Sequence, residues 1–119
     1  MQETYLKERT KSFALNVIRL VESLPKGRTA DVIGKQLLDA GTSVGANYRA
    51  ACRARSPADF ISKMGIVEEE ADETIYWMEL LVKARLLQEN DISALLGEAN
   101  QILAMTVSSI KTARRKSRK

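Results

Sequence analysis

The residues that this 119-residue sequence lacks limit what it can do. It contains no histidine, the commonest general base and a frequent metal ligand. Its single cysteine, Cys52, excludes an internal disulfide and a cysteine-rich zinc site. Only two prolines and six glycines interrupt the chain, which argues against disordered and low-complexity classes. We therefore predict one folded, non-enzymatic domain without a metal or a cofactor.

Long apolar segments are also missing from the sequence. No apolar run reaches the roughly 18 residues that a transmembrane helix requires. The polar start at residues 1–4 does not have the pattern of a secretory signal. We therefore expect a cytoplasmic protein that has no membrane partner.

The positive charge of the chain is concentrated at one place in the sequence. The formal net charge is +4, from 19 basic and 15 acidic residues. Residues 111–119 hold six of the basic residues and no acidic residue. Residues 1–110 therefore carry 13 basic and 15 acidic residues, a net charge of −2. This division predicts a slightly acidic domain over residues 1–110 and a basic C-terminal tail over residues 111–119.

Apolar residues recur with helical periodicity along most of the chain. A strong helix start occurs at Ser56-Pro57, because serine caps a helix and proline suits its first position. Short connections make consecutive helices antiparallel neighbours. The predicted fold class is all-α, an antiparallel up-down-up-down four-helix bundle. Its helices are expected at about Glu3–Leu24, Thr29–Arg55 and Pro57–Leu87, with a fourth that is capped by Asn90 or Asp91 and whose last inward residue is Ile110.

Gly41 and Gly45 lie four residues apart inside the second predicted helix. Each costs about 1 kcal/mol relative to alanine in a helix interior. Glycines at this spacing allow another backbone to approach, and the predicted hairpin places them near Gly65 of the third helix. The alternative interpretation is a kink or a local break at residues 41–43.

The third predicted helix carries more apolar residues than a monomeric bundle can bury. At about 100° per residue, a second apolar stripe lies beside its core stripe. One interpretation is that single exposed apolar residues are ordinary. We favour a subunit interface, because these residues line up. The predicted interface consists of Leu15 and Ile18 on the first predicted helix and of Ile66, Glu69, Glu73, Tyr76, Trp77 and Leu80 on the third.

Two groups of basic residues are candidates for binding nucleic-acid phosphates, which guanidinium groups contact through paired N–H bonds. Arg49, Arg53 and Arg55 lie in a segment without acidic residues. Alternatively, these arginines form ion pairs with acidic residues of segment 68–73, more easily across a subunit boundary than within one chain. The second group attracts polyanions without reading their sequence, unless it is only a solvated, frayed terminus. It comprises Lys111, Arg114, Arg115, Lys116, Arg118 and Lys119.

The central part of the sequence resembles a known family. The residues that carry the resemblance are Ser43-Val-Gly-Ala-Asn47, Arg53-x-Arg55-Ser56, Asp59-Phe60-Ile61, and Glu69-Glu-Ala-Asp-Glu73 followed by Tyr76-Trp77. They are similar to those of the 23S rRNA intervening-sequence proteins, also called four-helix bundle proteins. The resemblance implies an up-down four-helix bundle that assembles as a homopentamer. Some members are encoded within intervening sequences of bacterial 23S rRNA genes. A related branch, the accessory variability proteins of diversity-generating retroelements, binds nucleic acid and a reverse transcriptase.

Two functions are consistent with these features. The favoured one is a non-enzymatic oligomer that binds RNA or DNA phosphates with low sequence specificity. The alternative is an oligomeric scaffold that docks a reverse transcriptase-like enzyme or a ribosomal partner through its acidic and apolar surfaces. The acidic residues 68–73 point in several directions on a helix, so we expect a solvated or ion-paired face rather than a metal site.

Overall fold

The computed structural model describes residues 2–118, which form four α-helices and no strand. The helices pack as α1 against α2, α2 against α3, α3 against α4, and α4 against α1. Within the described residues, no Cα atoms of the diagonal pairs, α1 with α3 and α2 with α4, lie within 8 Å of each other. This arrangement confirms the predicted all-α four-helix bundle. The helices are α1 (Gln2–Glu22), α2 (Arg28–Cys52), α3 (Pro57–Lys83) and α4 (Glu89–Ser117).

The helix ends differ from the predicted ones by a few residues. Helix α3 starts at Pro57 as predicted, and the Ser56 side chain accepts a hydrogen bond from the Asp59 amide at 3.1 Å. It ends at Lys83 because Arg85 has φ = 64°, in the left-handed region that stops a helix. The prediction of a cap at Asn90 or Asp91 is wrong. Gln88 is the N-cap of α4, and its backbone N–H donates a hydrogen bond to Asp91 Oδ2 at 2.8 Å.

The core runs along the axis of the bundle, which measures 52 × 22 × 21 Å. The apolar stripe predicted for each helix faces inward, and one residue from each helix illustrates this: Phe13, Leu37, Met78 and Ile102 are all at most 2% exposed. Fully burying such a side chain stabilises the fold by about 1.5–3 kcal/mol. Burial of these stripes is therefore what holds the four helices together.

Gly41 and Gly45 allow a close approach between helices, but the partner is α1. A Cβ atom at Gly41 would lie 2.6 Å from Val17 Cγ1, and one at Gly45 would lie 3.3 Å from the Thr10 backbone oxygen. The expected contact with Gly65 is wrong, because nothing lies within 4 Å of a Cβ position there. The alternative of a break is also wrong, since α2 is continuous through both glycines. Because Gly41 and Gly45 have no side chains beyond hydrogen, α1 and α2 can pack closely along this stripe of α2.

A polar cluster connects α1 with α4. The Arg9 guanidinium donates to Glu98 through Nε (2.6 Å) and Nη2 (2.7 Å), which is a bidentate ion pair. The guanidinium also donates to the Gln101 side chain and lies 5.7 Å from the centre of the Tyr5 ring. The hydrogen bond to Glu98 raises the pKa of Arg9 further above its already high value. Arg9 therefore has a structural role, which is to hold α1 against α4.

Candidate nucleic-acid interface

The antiparallel topology brings both predicted basic groups to the same end of the bundle. Helices α2 and α4 run in the same direction, so their C-terminal turns lie side by side with the N-termini of α1 and α3. We call this region, residues 2–11, 49–63 and 107–118, the basic end. It holds 12 basic and three acidic residues, whereas residues 12–48 and 64–106 hold six basic and 12 acidic residues. The charge of the molecule is thus polarised along its long axis.

The predicted tail continues α4 at this end of the bundle. Residues 111–117 form the last two turns of that helix. Thr112 and Ala113 are half-buried, and Ala113 and Phe60 line a common groove. Lysine and arginine are good helix formers, and their charge suits the negative C-terminal end of a helix. Lys119 lies outside the described residues.

Eight cationic side chains of the basic end are exposed and have no ion pair within the described residues. Arg49, Arg53 and Arg55 form no ion pair within residues 2–118, so the predicted pairing with segment 68–73 does not occur inside one chain. The same holds for the basic residues of the C-terminal turns, which are Lys111, Arg114, Arg115, Lys116 and Arg118. Their guanidinium and ammonium groups are directed to solvent and are available to an anionic partner. A role in binding stays a prediction for these residues.

A groove of about 410 Å³ between α1 and α2 adds two cations that the sequence analysis missed. Lys7 and Lys11 line it together with Arg49 and Arg53, and Gly45 lies between the two helices. Both lysines have long in-chain pairs, 3.8 Å to Glu3 and 3.9 Å to Glu8. Their i, i+4 spacing was the available signal, because such residues share one face of a helix.

A cluster of acidic residues lies midway along α3, outside the basic end. Residues 68–73 include five acids, and none forms an ion pair within the described chain. Partial burial raises the pKa of Glu70, and repulsion from Glu73, Glu69 and Asp39 raises it further. Glu68, Glu69 and Asp72 border a groove between α3 and α4. These carboxylates repel one another and have no in-chain counterion.

Nucleophile and metal chemistry finds little support in the described residues. Cys52 is half-buried, and burial raises the pKa of its thiol, which lowers its thiolate fraction. Burial also raises the pKa of the neighbouring Tyr48 hydroxyl. Within residues 2–118 no group of three or more acidic, cysteine or histidine residues is arranged to hold a metal ion. In the same part of the chain, no helix combines the length and apolar character needed to span a membrane.

The predicted subunit interface divides into two separate patches. Leu15 and Ile18 are 49% and 38% exposed on α1, while Ile66 and Tyr76 are 39% and 55% exposed on α3. Because α1 and α3 are diagonal in the bundle, the two patches lie on opposite sides of the molecule. Glu69 and Glu73 are exposed beside the second patch, whereas Trp77 and Leu80 are half-buried in it. The Trp77 ring contacts the Tyr76 ring edge-on, with centroids 4.9 Å apart.

Known proteins share the fold on which these surfaces lie. Residues 3–108 match the family model for the 23S rRNA-intervening sequence protein. This chain belongs to that family. The resemblance noted in the sequence is thereby confirmed, and the basic residues from Lys111 onward lie beyond the matched segment.

A solved relative of this intervening-sequence protein has the same architecture. It is a protein of unknown function from the S23 ribosomal protein family of Bacteroides thetaiotaomicron, 35% identical in sequence. The two structures superimpose with a TM-score of 0.86, over 93% of this chain and 99% of the other. No curated protein matches the chain. The family therefore establishes the fold, and the surfaces of this chain must support its function.

Proposed function

We propose that this protein is a cytoplasmic, non-enzymatic homo-oligomer that binds the phosphates of RNA or DNA at its basic end with low sequence specificity. The observation that carries the proposal is that the C-terminal turns of α2 and α4 lie at the same end of the bundle. Eight exposed basic residues are therefore found at that end, although they come from segments separated by more than 50 positions in the sequence. The bound form is expected to be an assembly of several copies, a pentamer by family resemblance.

The geometry of these cations suits a phosphate backbone better than base edges. Arg114 and Arg115 lie in the last turn of α4, so their backbone is already helical and only their side chains must be ordered on binding. Guanidinium groups contact phosphate through paired N–H bonds and carry no sequence information in doing so. An oligomer repeats this surface around its axis, which raises avidity for a long polyanion without any new type of contact.

Salt-dependent binding tests the proposal directly. Fluorescence anisotropy with labelled single-stranded RNA and duplex DNA, at three salt concentrations, gives the slope of log K against log salt. R114A/R115A removes two phosphate contacts and is expected to lower affinity on the order of 10-fold in low salt and to reduce the slope by about two per protomer that binds. R53A/R55A, on the other side of the basic end, is expected to behave similarly.

The matched control is K26A/R28A, which removes two exposed positive charges from the opposite end of the bundle. It should leave affinity and slope close to those of the unmodified protein. An equal loss in the control would show that only net charge matters and would contradict a localised site. Absence of binding at low salt would reject the nucleic-acid function and favour the protein-docking scaffold.

A further inference from the structure

Two rows of exposed or half-buried side chains on the outer surface of the bundle have complementary patterns. On α1, Lys7 and Lys11 are followed one turn later by Leu15 and Ile18. On α3, Glu69 and Glu73 are followed by Tyr76 and Leu80. In both rows, residues three or four apart form one stripe along the helix. We call them the α1 row and the α3 row.

The two rows cannot meet inside one molecule. Helices α1 and α3 occupy diagonal positions, with no Cα atoms within 8 Å of each other, so their outer surfaces face away from each other. They run in the same direction, because one antiparallel helix separates them in the chain. A second copy placed alongside the first, with its axis nearly parallel, can therefore present its α3 row to the α1 row of the first.

We propose that the α1 row of one protomer packs in parallel against the α3 row of a second copy of this chain. Lys7 and Lys11 then lie opposite Glu69 and Glu73. Leu15 and Ile18 pack against Tyr76 and Leu80 of the neighbouring copy, so the residues that face each other differ by 61 or 62 positions in the numbering. The inference rests on the proposed homo-oligomer and adds which surfaces form its seam and how they are oriented.

Other pairings of the same surfaces are chemically worse. An α1 row against a second α1 row, related by a two-fold axis, sets lysine against lysine or lysine against leucine. Two α3 rows similarly bring Glu69 or Glu73 against carboxylates or against aromatic groups. An antiparallel α1–α3 contact moves the lysines over the apolar residues. Only the parallel pairing of unlike rows satisfies charge and apolar surface together, which is the type of complementarity that sets register at interfaces.

The charged residues of the two rows have only weak ion pairs, or none, within the described part of their own chain. The Lys7–Glu3 and Lys11–Glu8 pairs are long and solvent-exposed, and such pairs contribute little to stability. Glu69 has no ion pair inside the described residues, and Glu73 only approaches the Trp77 indole nitrogen, at 3.4 Å. A basic row on a second copy supplies the counterions that the acidic row lacks. Lys7 and Lys11 are then part of the seam, and phosphate binding is left to the eight exposed cations at the helix ends.

Cysteine cross-linking tests the seam without depending on nucleic acid. In a C52S background, L15C and Y76C are prepared separately and oxidised. In the proposed seam the α1 row of one copy faces the α3 row of another, so in either single variant each cysteine faces a non-cysteine residue. Neither variant alone is therefore expected to form a disulfide-linked dimer. A mixture of the two should give a covalent dimer, and the double variant L15C/Y76C a ladder of higher species on a non-reducing gel. Dimers from either single variant would overturn the seam in favour of a two-fold contact.

Charge exchange provides the second measurement. K7E/K11E and E69K/E73K each place like charges across the seam and are expected to weaken association on the order of 10- to 100-fold, measured by light scattering against concentration. The fourfold variant K7E/K11E/E69K/E73K restores opposite charges with unchanged net charge and should recover the original mass. K26E/R28E is the control, since it reverses two charges away from both rows. Failure of the fourfold variant to recover, with helicity by circular dichroism intact, would contradict the pairing.

These measurements separate the seam from the proposed function on which it rests. If the unmodified protein has a monomer mass of 13.3 kDa at micromolar concentration, the homo-oligomer itself is rejected and the seam with it. If it is an oligomer but the mixed cysteine variants do not cross-link, only the seam is rejected. Loss of nucleic-acid binding in R114A/R115A leaves cross-linking unchanged, because that variant does not alter either row.

Discussion

The basic end and the acidic middle of this bundle are built from the same helices but differ in how their charges can be satisfied. At the basic end, eight long cationic side chains project into solvent and have no ion pair within residues 2–118, so an external anion can pair with them. In the middle of α3, carboxylates lie on the outer side of a helix that a second helix can cover. The first arrangement suits a flexible polyanion, and the second suits a structured protein surface. A formal net charge of +4 conceals both.

The largest expected effect concerns the contact that makes the basic end one surface. Lys7 and Lys11 of α1 lie beside Arg49 and Arg53 of α2 only while the two helices pack closely at the glycine stripe. Gly41→Ala should lower the free energy of unfolding by about 2 kcal/mol, because its Cβ overlaps the fully buried, β-branched Val17. Chemical denaturation followed by circular dichroism measures the change.

The control for this substitution is Gly97→Ala on α4, where nothing lies within 4 Å of the added Cβ. Since alanine is the better helix former, this variant should gain about 0.5–1 kcal/mol. Opposite signs for the two variants are the expected result. A stabilising Gly41→Ala would show that α1 and α2 do not pack closely at Gly41. It would then contradict the groove in which Lys7 and Lys11 lie beside Arg49 and Arg53.

The second prediction concerns the ion pair that joins the two regions. Arg9 belongs to the basic end and Glu98 to the more acidic remainder, and their pairing attaches α4 to α1. Glu98→Gln keeps the shape of the side chain but removes the charge, and should cost roughly 1 kcal/mol of unfolding free energy, as the pair is only partly buried. Lys35 and Asp39 form an exposed pair at 2.9 Å, and Asp39→Asn is the comparison variant.

Thermal unfolding at low and high salt distinguishes these pairs. The loss in Glu98→Gln should change little with salt, because partly buried bidentate pairs are weakly screened. The smaller effect of Asp39→Asn should decline as salt is added. Equal salt sensitivity of the two variants would mean that Arg9 and Glu98 behave as an ordinary surface pair.

The smallest expected effect is a pH-dependent gain in the acidic middle. The pKa of Glu70 is raised in the folded protein above its ordinary value of 4.5. For an acid this sign means that the folded state loses stability as pH rises through the folded pKa, and that the penalty is absent below the unfolded pKa. Glu70→Gln should therefore stabilise the protein at pH 7 by less than about 0.5 kcal/mol.

This gain should shrink as pH falls through the raised pKa of Glu70 in the folded protein, and should be absent below its ordinary value of 4.5. The melting temperatures of the unmodified protein and of Glu70→Gln, measured between pH 4 and pH 8 at steps of about one pH unit, show how this gain changes with pH. Asp31→Asn on the exposed first turn of α2 is a control outside the acidic cluster. A gain that persists unchanged at acidic pH would exclude carboxylate repulsion as its cause.

Local pattern was sufficient for much of the fold. Helical periodicity identified four helices and the inward residues of each, because a buried stripe must recur every 3.6 residues whatever the helix packs against. Ser56 and Pro57 marked the start of α3 correctly through interactions within one turn. The end of α3 was missed because it depends on the left-handed conformation of Arg85, and the sequence analysis treated residues 111–117 as a tail although they continue α4.

The candidate site depended on contacts between distant parts of the chain. Arg49, Arg53, Arg55 and the C-terminal cations were recognised as separate groups, and family motifs indicated the bundle. Their location at one end of the bundle, the contact of Gly41 with Val17 and the Arg9–Glu98 pair each depend on residues 24 to 89 positions apart. Periodicity determines which side of a helix is buried, but not which neighbour covers it. The order and direction in which the helices pack decide that, and they placed the basic groups together and the two apolar patches apart.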